Sequence, residues 1–266
     1  MNGVWDTFEA RLGRLMFAIA WIALGIESLV YGIPVMRLET LARTFPWPYG
    51  MTVGYVTGII VILAGIGLMF AERAKLCATI FAMLTLLWVV TVHLPRLVPT
   101  VIHGEYWSGF AECFCAFSAA WVLSSIMPPR LITNAWDRII DNGIPIGRIC
   151  FGLTLVIFGV LHFVYHDFIV SFIPVWFPDR HVLATLTGLA HIAAGLAILT
   201  GILGRLGATL AGIMYLSWAI VLHFPRVVIM AKDPFEWNGL FVATMLSGAA
   251  FIVSATFIKS ADGEPK

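Results

Sequence analysis

The chain has 266 residues, of which 60% are hydrophobic and only 12% are charged. Soluble domains are about half apolar and a quarter charged, so this composition excludes an ordinary soluble protein and predicts a chain that folds in a lipid bilayer. The formal net charge of +1, without any basic cluster, argues against a nucleic-acid partner, which would require a concentrated basic face.

Apolar runs of helical length recur along the chain, separated by short polar breaks. A helix needs about 20 apolar residues to cross a hydrocarbon core of about 30 Å. We therefore predict an all-α integral membrane protein with about eight transmembrane helices. In chain order, the predicted spans cover residues 14–33, 50–70, 76–94, 107–127, 148–166, 181–203, 207–224 and 237–258.

The two halves of the sequence align with each other. Matched positions include Gly13-Arg14 with Gly147-Arg148, Gly25 with Gly159, Gly58 with Gly188, Trp88 with Trp218, and His93-Leu94-Pro95-Arg96 with His223-Phe224-Pro225-Arg226. Because the matched positions occur in the same order in both halves, the sequence predicts two tandem four-helix units, residues 1–127 and 148–266. A cytoplasmic linker at 128–147 would join them. Because each unit has an even number of spans, we expect a pseudo-two-fold axis along the membrane normal.

Basic residues are distributed unevenly between the two sides of the predicted spans. Ten Lys and Arg residues lie at the termini or in the even-numbered loops, and six lie in the odd-numbered loops. The positive-inside rule then places both termini in the cytoplasm of a multi-pass protein, which we assign to the bacterial inner membrane. Residues 172–178 are apolar, broken by proline and too short to span, so we expect an interfacial lid over the second unit.

Ionisable side chains within apolar spans are costly and therefore mark candidate functional positions. The first unit carries Glu27, His93 and Glu112, and the second carries His162, His191 and His223. The three histidines of the second unit fall at similar depths on successive helices, so we predict that they line one polar cavity. They could also ligate a metal or haem, or serve only as hydrogen-bonding groups between packed helices.

A His-x-Pro-Arg motif occurs at the end of the third and the seventh spans. Proline tends to end or kink a helix, which places the histidine one turn inside the membrane and the arginine at the outer headgroups. His93 and His223 could then face an outward-opening cavity, while Arg96 and Arg226 attract an anionic headgroup or substrate. The alternative is simple helix termination with an interfacial anchor.

These motifs together resemble the DoxX family of four-helix membrane proteins, duplicated over nearly the whole chain. The resemblance rests on the opening Gly-Arg, the exit Gly159-Val160-Leu161-His162-Phe163, the pair Ala194-Gly195 followed by Gly201, and the His-Leu-Pro motif at His93. DoxX-like proteins usually have lysine at the position of His162 and glutamate at that of His191. The first unit has Ser28 and Val61 there, so neither unit carries that ion pair.

The resemblance implies a membrane role in redox metabolism, because the family name derives from a subunit linked to quinone-reducing thiosulfate oxidation. We therefore expect a redox component that holds a quinone-like or other amphipathic molecule on the outer side. The candidate ligand-binding residues are His162, His191, His223, His93, Glu27, Arg96 and Arg226. Quinone, haem and a metal are the candidate cofactors. The expected partners are the bilayer, a soluble or membrane redox protein and, as an option, a second copy of the chain.

Two other classes of function fit the same sequence. In a non-enzymatic assembly or chaperone subunit, the polar residues would serve helix packing and partner docking. The parallel repeat is also compatible with a small-solute transporter.

The topology assignment can be tested with reporter fusions. A reporter active only in the periplasm should be silent at the C-terminus and active in the loop after His223, because that loop lies on the side with fewer basic residues. The reverse pattern would invert the orientation.

Overall fold

A computed structural model describes residues 4–32, 50–98, 104–128 and 142–258. Within them, eight helices are long and apolar enough to cross a membrane, which confirms the predicted all-α multi-pass fold. Most of the predicted linker, residues 129–141, lies outside the described residues, as does the C-terminal segment 259–266.

Nine helices are described, eight of membrane-spanning length and one short. The spanning helices are α1 (Phe8–Tyr31), α2 (Gly50–Met69), α3 (Ala71–Leu97), α4 (Gly104–Ile126), α5 (Gly143–Val164), α7 (Arg180–Thr200), α8 (Gly204–Ile229) and α9 (Pro234–Ala255). The short helix α6 (His166–Phe172) lies between α5 and α7.

Side-chain caps mark several helix starts. The Thr7 hydroxyl accepts a hydrogen bond from the Ala10 backbone N–H, so α1 begins earlier than the predicted residue 14. Asp179 caps α7 in the same way. Helix α5 begins at Gly143, where a Cβ would lie 2.7 Å from the Trp121 carbonyl oxygen, so close packing on α4 extends the helix into the predicted linker.

Helices α3 and α8 continue through their prolines, contrary to the expectation that these spans end at residues 94 and 224. Each contains one π-helical turn, Val89–His93 and Ala219–His223, just before the Leu-Pro or Phe-Pro step. The N–H of Leu94 bonds to the Val89 carbonyl, and the N–H of Phe224 bonds to the Ala219 carbonyl. A wider turn accommodates the proline ring, which would otherwise clash with the carbonyl four residues earlier.

The helices pack into one body rather than two separate units. Each spanning helix contacts the next spanning helix along the chain, α1 packs against α9, and α4 also contacts α9. Helices α4 and α9 are the most enclosed. Buried residues of both sequence halves form one continuous hydrophobic core. The pseudo-two-fold relation between the halves stays a prediction.

Glycines allow two helix pairs to approach closely at matched positions. A Cβ on Gly159 of α5 would lie 2.8 Å from the Gly188 carbonyl oxygen of α7. In the first half, a Cβ on Gly25 would lie 2.8 Å from the Gly58 carbonyl oxygen. Small residues of this kind let helix backbones approach in lipid, where water does not drive helices together. The aligned glycines therefore make the same kind of contact in both halves.

The outer surface of the bundle is apolar. Large side chains such as Leu63, Leu76, Leu189 and Ile213 are more than half exposed. Exposed apolar area of this extent would be a liability in water and is suited to contact with lipid.

The contact between α1 and α9 can be tested at Gly248. A Cβ there would lie 2.7 Å from the Phe17 backbone nitrogen and 2.8 Å from the Gly13 carbonyl oxygen, and neither backbone atom can move without shifting a helix. We expect Gly248→Ala to destabilise the detergent-purified protein by about 1–3 kcal/mol and to lower its melting temperature. Val30→Ile adds one methylene at a site that is 67% exposed and serves as the control. Equal melting temperatures for the two variants would contradict this packing.

Candidate functional site

A cavity of about 780 Å³ lies among α4, α5, α7, α8 and α9, with α6 along one side. Most of its wall is apolar, including Phe158, Leu161, Val242 and Leu246. Its polar side chains come from both halves of the sequence and include Ser108, Glu112, His162, Thr187, His191, Tyr215, Ser217, Trp218, His223 and Asn238. No Lys or Arg occurs among the described lining residues, so this wall carries no fixed cation.

His162 on α5, His191 on α7 and His223 on α8 all line this cavity. The three histidines therefore share one cavity, although most of its wall is apolar and not polar as predicted; that they bind a ligand stays a prediction. They do not converge as metal ligands. Among the residues that the structure describes, only one group brings three potential ligand atoms within 4.8 Å of one another, and it consists of His166, Asp167 and His181.

Two of the cavity histidines are oriented by carbonyls of their own helices. Nδ1 of His162 lies 2.8 Å from the Phe158 carbonyl oxygen, and Nδ1 of His191 lies 2.8 Å from the Thr187 carbonyl oxygen. A carbonyl oxygen only accepts, so both Nδ1 atoms carry a proton, and Nε2 of each neutral ring is an acceptor. The Tyr215 hydroxyl donates to Nε2 of His191 at 3.0 Å.

These histidines belong to a compact cluster of rings. The ring centroids of His162 and His191 are 4.7 Å apart, and Trp218 lies 5.8 Å from His162 and 5.4 Å from His191. Tyr215 completes the cluster at 5.4 Å from His191. The close glycine contact between α5 and α7 brings the backbones that carry the two imidazoles together. The cluster thus combines flat apolar faces with hydrogen-bonding edges.

His223 reaches the cavity from the π-helical turn of α8. Its ring lies against Gly239, where a Cβ would come within 2.6 Å of Nδ1 of the imidazole. The buried Nδ1 atom has no hydrogen-bond partner among the described residues. A buried nitrogen without a partner is costly. Because Nδ1 is enclosed beside Gly239, it is the remainder of the His223 ring that contributes to the cavity wall.

The remaining residues predicted for the site lie outside the described cavity wall. His93 and Arg96 are buried at the end of α3 in the first half. Glu27 is half-buried on α1 and accepts a hydrogen bond of 3.5 Å from the amide of Asn238, which does line the cavity. Glu27 therefore supports the wall through Asn238 instead of facing the cavity directly.

Arg226 has a role that sequence reasoning did not anticipate. Its guanidinium makes two hydrogen bonds to the carboxylate of Glu236, at 2.7 and 2.6 Å, and Glu236 is buried. We expected Arg226 to attract an anionic headgroup or substrate. In the structure a carboxylate of the protein, that of Glu236, already neutralises its charge. Its CZ atom also lies 4.8 Å from the ring centroid of Phe172, a cavity residue.

The predicted lid faces the cavity. Phe172, Ile173 and Phe177 line the cavity, while Val175 and Trp176 are 84% and 66% exposed on the outer surface. The segment therefore contributes to one wall of the cavity, and its role as an interfacial lid stays a prediction. The Trp176 side chain is exposed on the outside of the helix bundle.

Sequence reasoning missed the contributions of Tyr215, Trp218 and Ser108 to the cavity. A comparison of the two halves could have indicated Tyr215, because the matched positions of His191 and Tyr215 are Val61 and Thr85 in the first half. The second half thus has both the histidine and the tyrosine, and the first half has neither. In the first half, Trp21 packs on Phe81 and Trp88 in a tight aromatic group instead.

A double-mutant cycle tests the bond between His191 and Tyr215. His191→Leu leaves the buried Tyr215 hydroxyl without its partner, so we expect a loss of about 1–3 kcal/mol of stability. Tyr215→Phe should cost less, and the double variant should lose less than the sum of the two. Melting curves in detergent measure each change. Strictly additive losses would show that the hydrogen bond makes no contribution.

Comparisons with known proteins give one match. The family model of a domain of unknown function, DUF8561, matches residues 151–247, which include the three cavity histidines and most of the cavity wall. No curated protein and no solved structure matches the chain. The matched region is similar to a family that has no assigned activity.

Proposed function

We propose that the protein is a DoxX-like membrane component of a redox system that binds a quinone-like amphipathic molecule in the cavity between its helices. The observation that carries this proposal is the cavity of about 780 Å³, with apolar walls and a cluster of two imidazoles, a phenol and an indole. Ligand pockets are typically apolar with a few oriented polar groups.

The size and chemistry of the cavity favour a flat, largely apolar ligand. Phe158 and Trp218 offer ring faces for stacking. His162 supplies a ring nitrogen, Nε2, that is available for a hydrogen bond to a polar edge of the ligand, and His223 adds a further imidazole to the wall. An anionic ligand is disfavoured because the described wall has no cation and Glu112 adds a carboxylate.

Each candidate residue has a distinct role in this proposal. His162, His191 and His223 form the polar edge of the site, while Arg226 holds the lid through Phe172, and Glu27 holds Asn238. Roles for His93 and Arg96 stay predictions from the sequence motif. The proposed location is the bacterial inner membrane with both termini in the cytoplasm, where a redox partner would exchange electrons with the ligand.

The proposal predicts that filling the cavity will remove the ligand. Ala243 lines the cavity and is buried, so Ala243→Phe should project a ring into it, whereas Leu189→Phe changes a lipid-facing site that is 51% exposed. Wild type and Leu189→Phe should retain an amphipathic molecule, detected by mass spectrometry of solvent extracts, and should bind added 1,4-naphthoquinone. Ala243→Phe should lose both properties.

The His191→Leu/Tyr215→Phe variant provides a second comparison. It removes one imidazole and the phenol from the cluster without leaving an unpaired buried hydroxyl, so it should fold and yet bind the quinone more weakly. If wild type neither retains an amphipathic molecule nor binds the quinone, the proposal fails. The assembly-subunit and transporter alternatives would then take its place.

A further inference from the structure

Resting on the proposed function, we infer that the cavity selects a ligand that carries a hydroxyl group, such as a quinol or phenol, over its carbonyl form. The first step of the argument concerns His162. Its Nδ1 proton is committed to the Phe158 carbonyl oxygen, so Nε2 of the neutral ring is a hydrogen-bond acceptor. No described residue bonds to this Nε2 atom, and the side chain lines the cavity.

The second step concerns three hydroxyl groups of the wall on α7 and α8, whose protons are used within the protein. Tyr215 donates to His191, Thr187 donates to the Leu183 carbonyl oxygen at 2.9 Å, and Ser217 donates to the Met214 carbonyl oxygen at 2.7 Å. These groups therefore have no proton left for a ligand carbonyl. Trp218 and Asn238 also line the cavity and carry N–H donors, so the proposed selection rests on the acceptor of His162.

The third step concerns charge. A protonated imidazole at His162 could donate a hydrogen bond from Nε2, and the site would then prefer a ligand carbonyl over a ligand hydroxyl. Burying an unpaired cation is much more costly than burying a neutral ring, and His162 is 6% exposed, with its closest ring contacts to His191 and Trp218. The neutral ring, with its acceptor towards the cavity, is therefore the form that meets the ligand. A ligand hydroxyl can donate to it, whereas a carbonyl or an ether oxygen cannot.

Matched probes test this selection. Binding of 1-naphthol, 1-methoxynaphthalene and 1,4-naphthoquinone to protein in lipid nanodiscs is measured by equilibrium dialysis, and nanodiscs with Ala243→Phe protein give the background from lipid partitioning. We expect 1-naphthol to bind about tenfold more tightly than its methyl ether and the quinone. His162→Phe should abolish the difference, while His162→Gln, which keeps an acceptor oxygen, should retain part of it.

The outcomes separate this inference from the proposed function. Equal binding of all three probes to the cavity, or tighter binding of the ether or the quinone, overturns the inference and leaves the proposed function standing. Binding of none of them above background overturns both. The ratio of 1-naphthol binding to ether or quinone binding, measured on wild type, tests the inference even if the His162 variants fail to fold.

A second, independent observation concerns the outer face of α6. We propose that His166, Asp167 and His181 bind a divalent transition metal such as Zn²⁺. Their ligand atoms lie within 4.8 Å of one another, and two imidazoles with one carboxylate form a common donor set for such ions. Asp167 and His181 are exposed, so both can adjust to the distances that a metal requires.

The hydrogen bonds of His166 prepare it as a ligand. Its Nε2 atom lies 3.2 Å from the His181 carbonyl oxygen, so Nε2 carries the proton, and Nδ1 of the neutral ring keeps its lone pair. That Nδ1 atom lies 3.7 Å from a carboxylate oxygen of Asp167. Metal-bound histidines typically donate their other N–H to a carbonyl or carboxylate in this way. A bound metal would link α6 to α7 directly above the cavity.

Zinc binding to tag-free protein tests the second proposal. Isothermal titration with ZnCl₂ should give one site per chain, and Co²⁺ substitution should give the visible absorption of a nitrogen- and oxygen-bound ion. Asp167→Asn and His181→Ala should each weaken binding at least about tenfold. Ser171→Ala, on the exposed side of α6, is the matched control and should bind as wild type does. Absence of zinc binding to wild type, or equal binding by all variants, overturns this proposal.

Discussion

The close approach of glycine-bearing helices is the interaction on which the rest of the structure depends. In lipid, helices gain little from burying apolar surface, so they must pack by shape, and contacts such as Gly159 with Gly188 and Gly13 with Gly248 permit backbone-to-backbone packing. The first of these contacts joins α5 to α7 and brings His162 and His191 together. The second joins α1 to α9 and unites the two sequence halves in one core.

The π-helical turns in α3 and α8 show how a proline is accommodated without ending a helix. The wider turn removes the clash of the proline ring and lets each helix continue past its proline, to Leu97 in α3 and to Ile229 in α8. In α8 this places His223 in the cavity wall and Arg226 beside Glu236. One local distortion therefore sets the positions of His223 in the cavity wall and of Arg226 beside Phe172.

The two halves carry different polar residues at the positions that match in sequence. The second half combines His162, His191 and Tyr215 around an open cavity, whereas at the matched positions the first half carries Ser28, Val61 and Thr85. Helix α4 of the first half nevertheless supplies Ser108 and Glu112 to the cavity wall. The site is thus built between the halves, and its polar edge comes from one of them.

The sequence by itself determined the membrane environment, the number of spans and the three histidines that share a cavity, because hydropathy and helical periodicity act locally along the chain. It also indicated that residues 172–178 do not form a span, since the segment is short and broken by proline. Only the tertiary structure decided that Tyr215 bonds to His191, that Arg226 is neutralised by Glu236 and that Glu27 acts through Asn238. These pairings join residues on different helices, or at a helix junction, and their geometry depends on helix rotation and spacing, which side-chain packing determines and hydropathy does not encode.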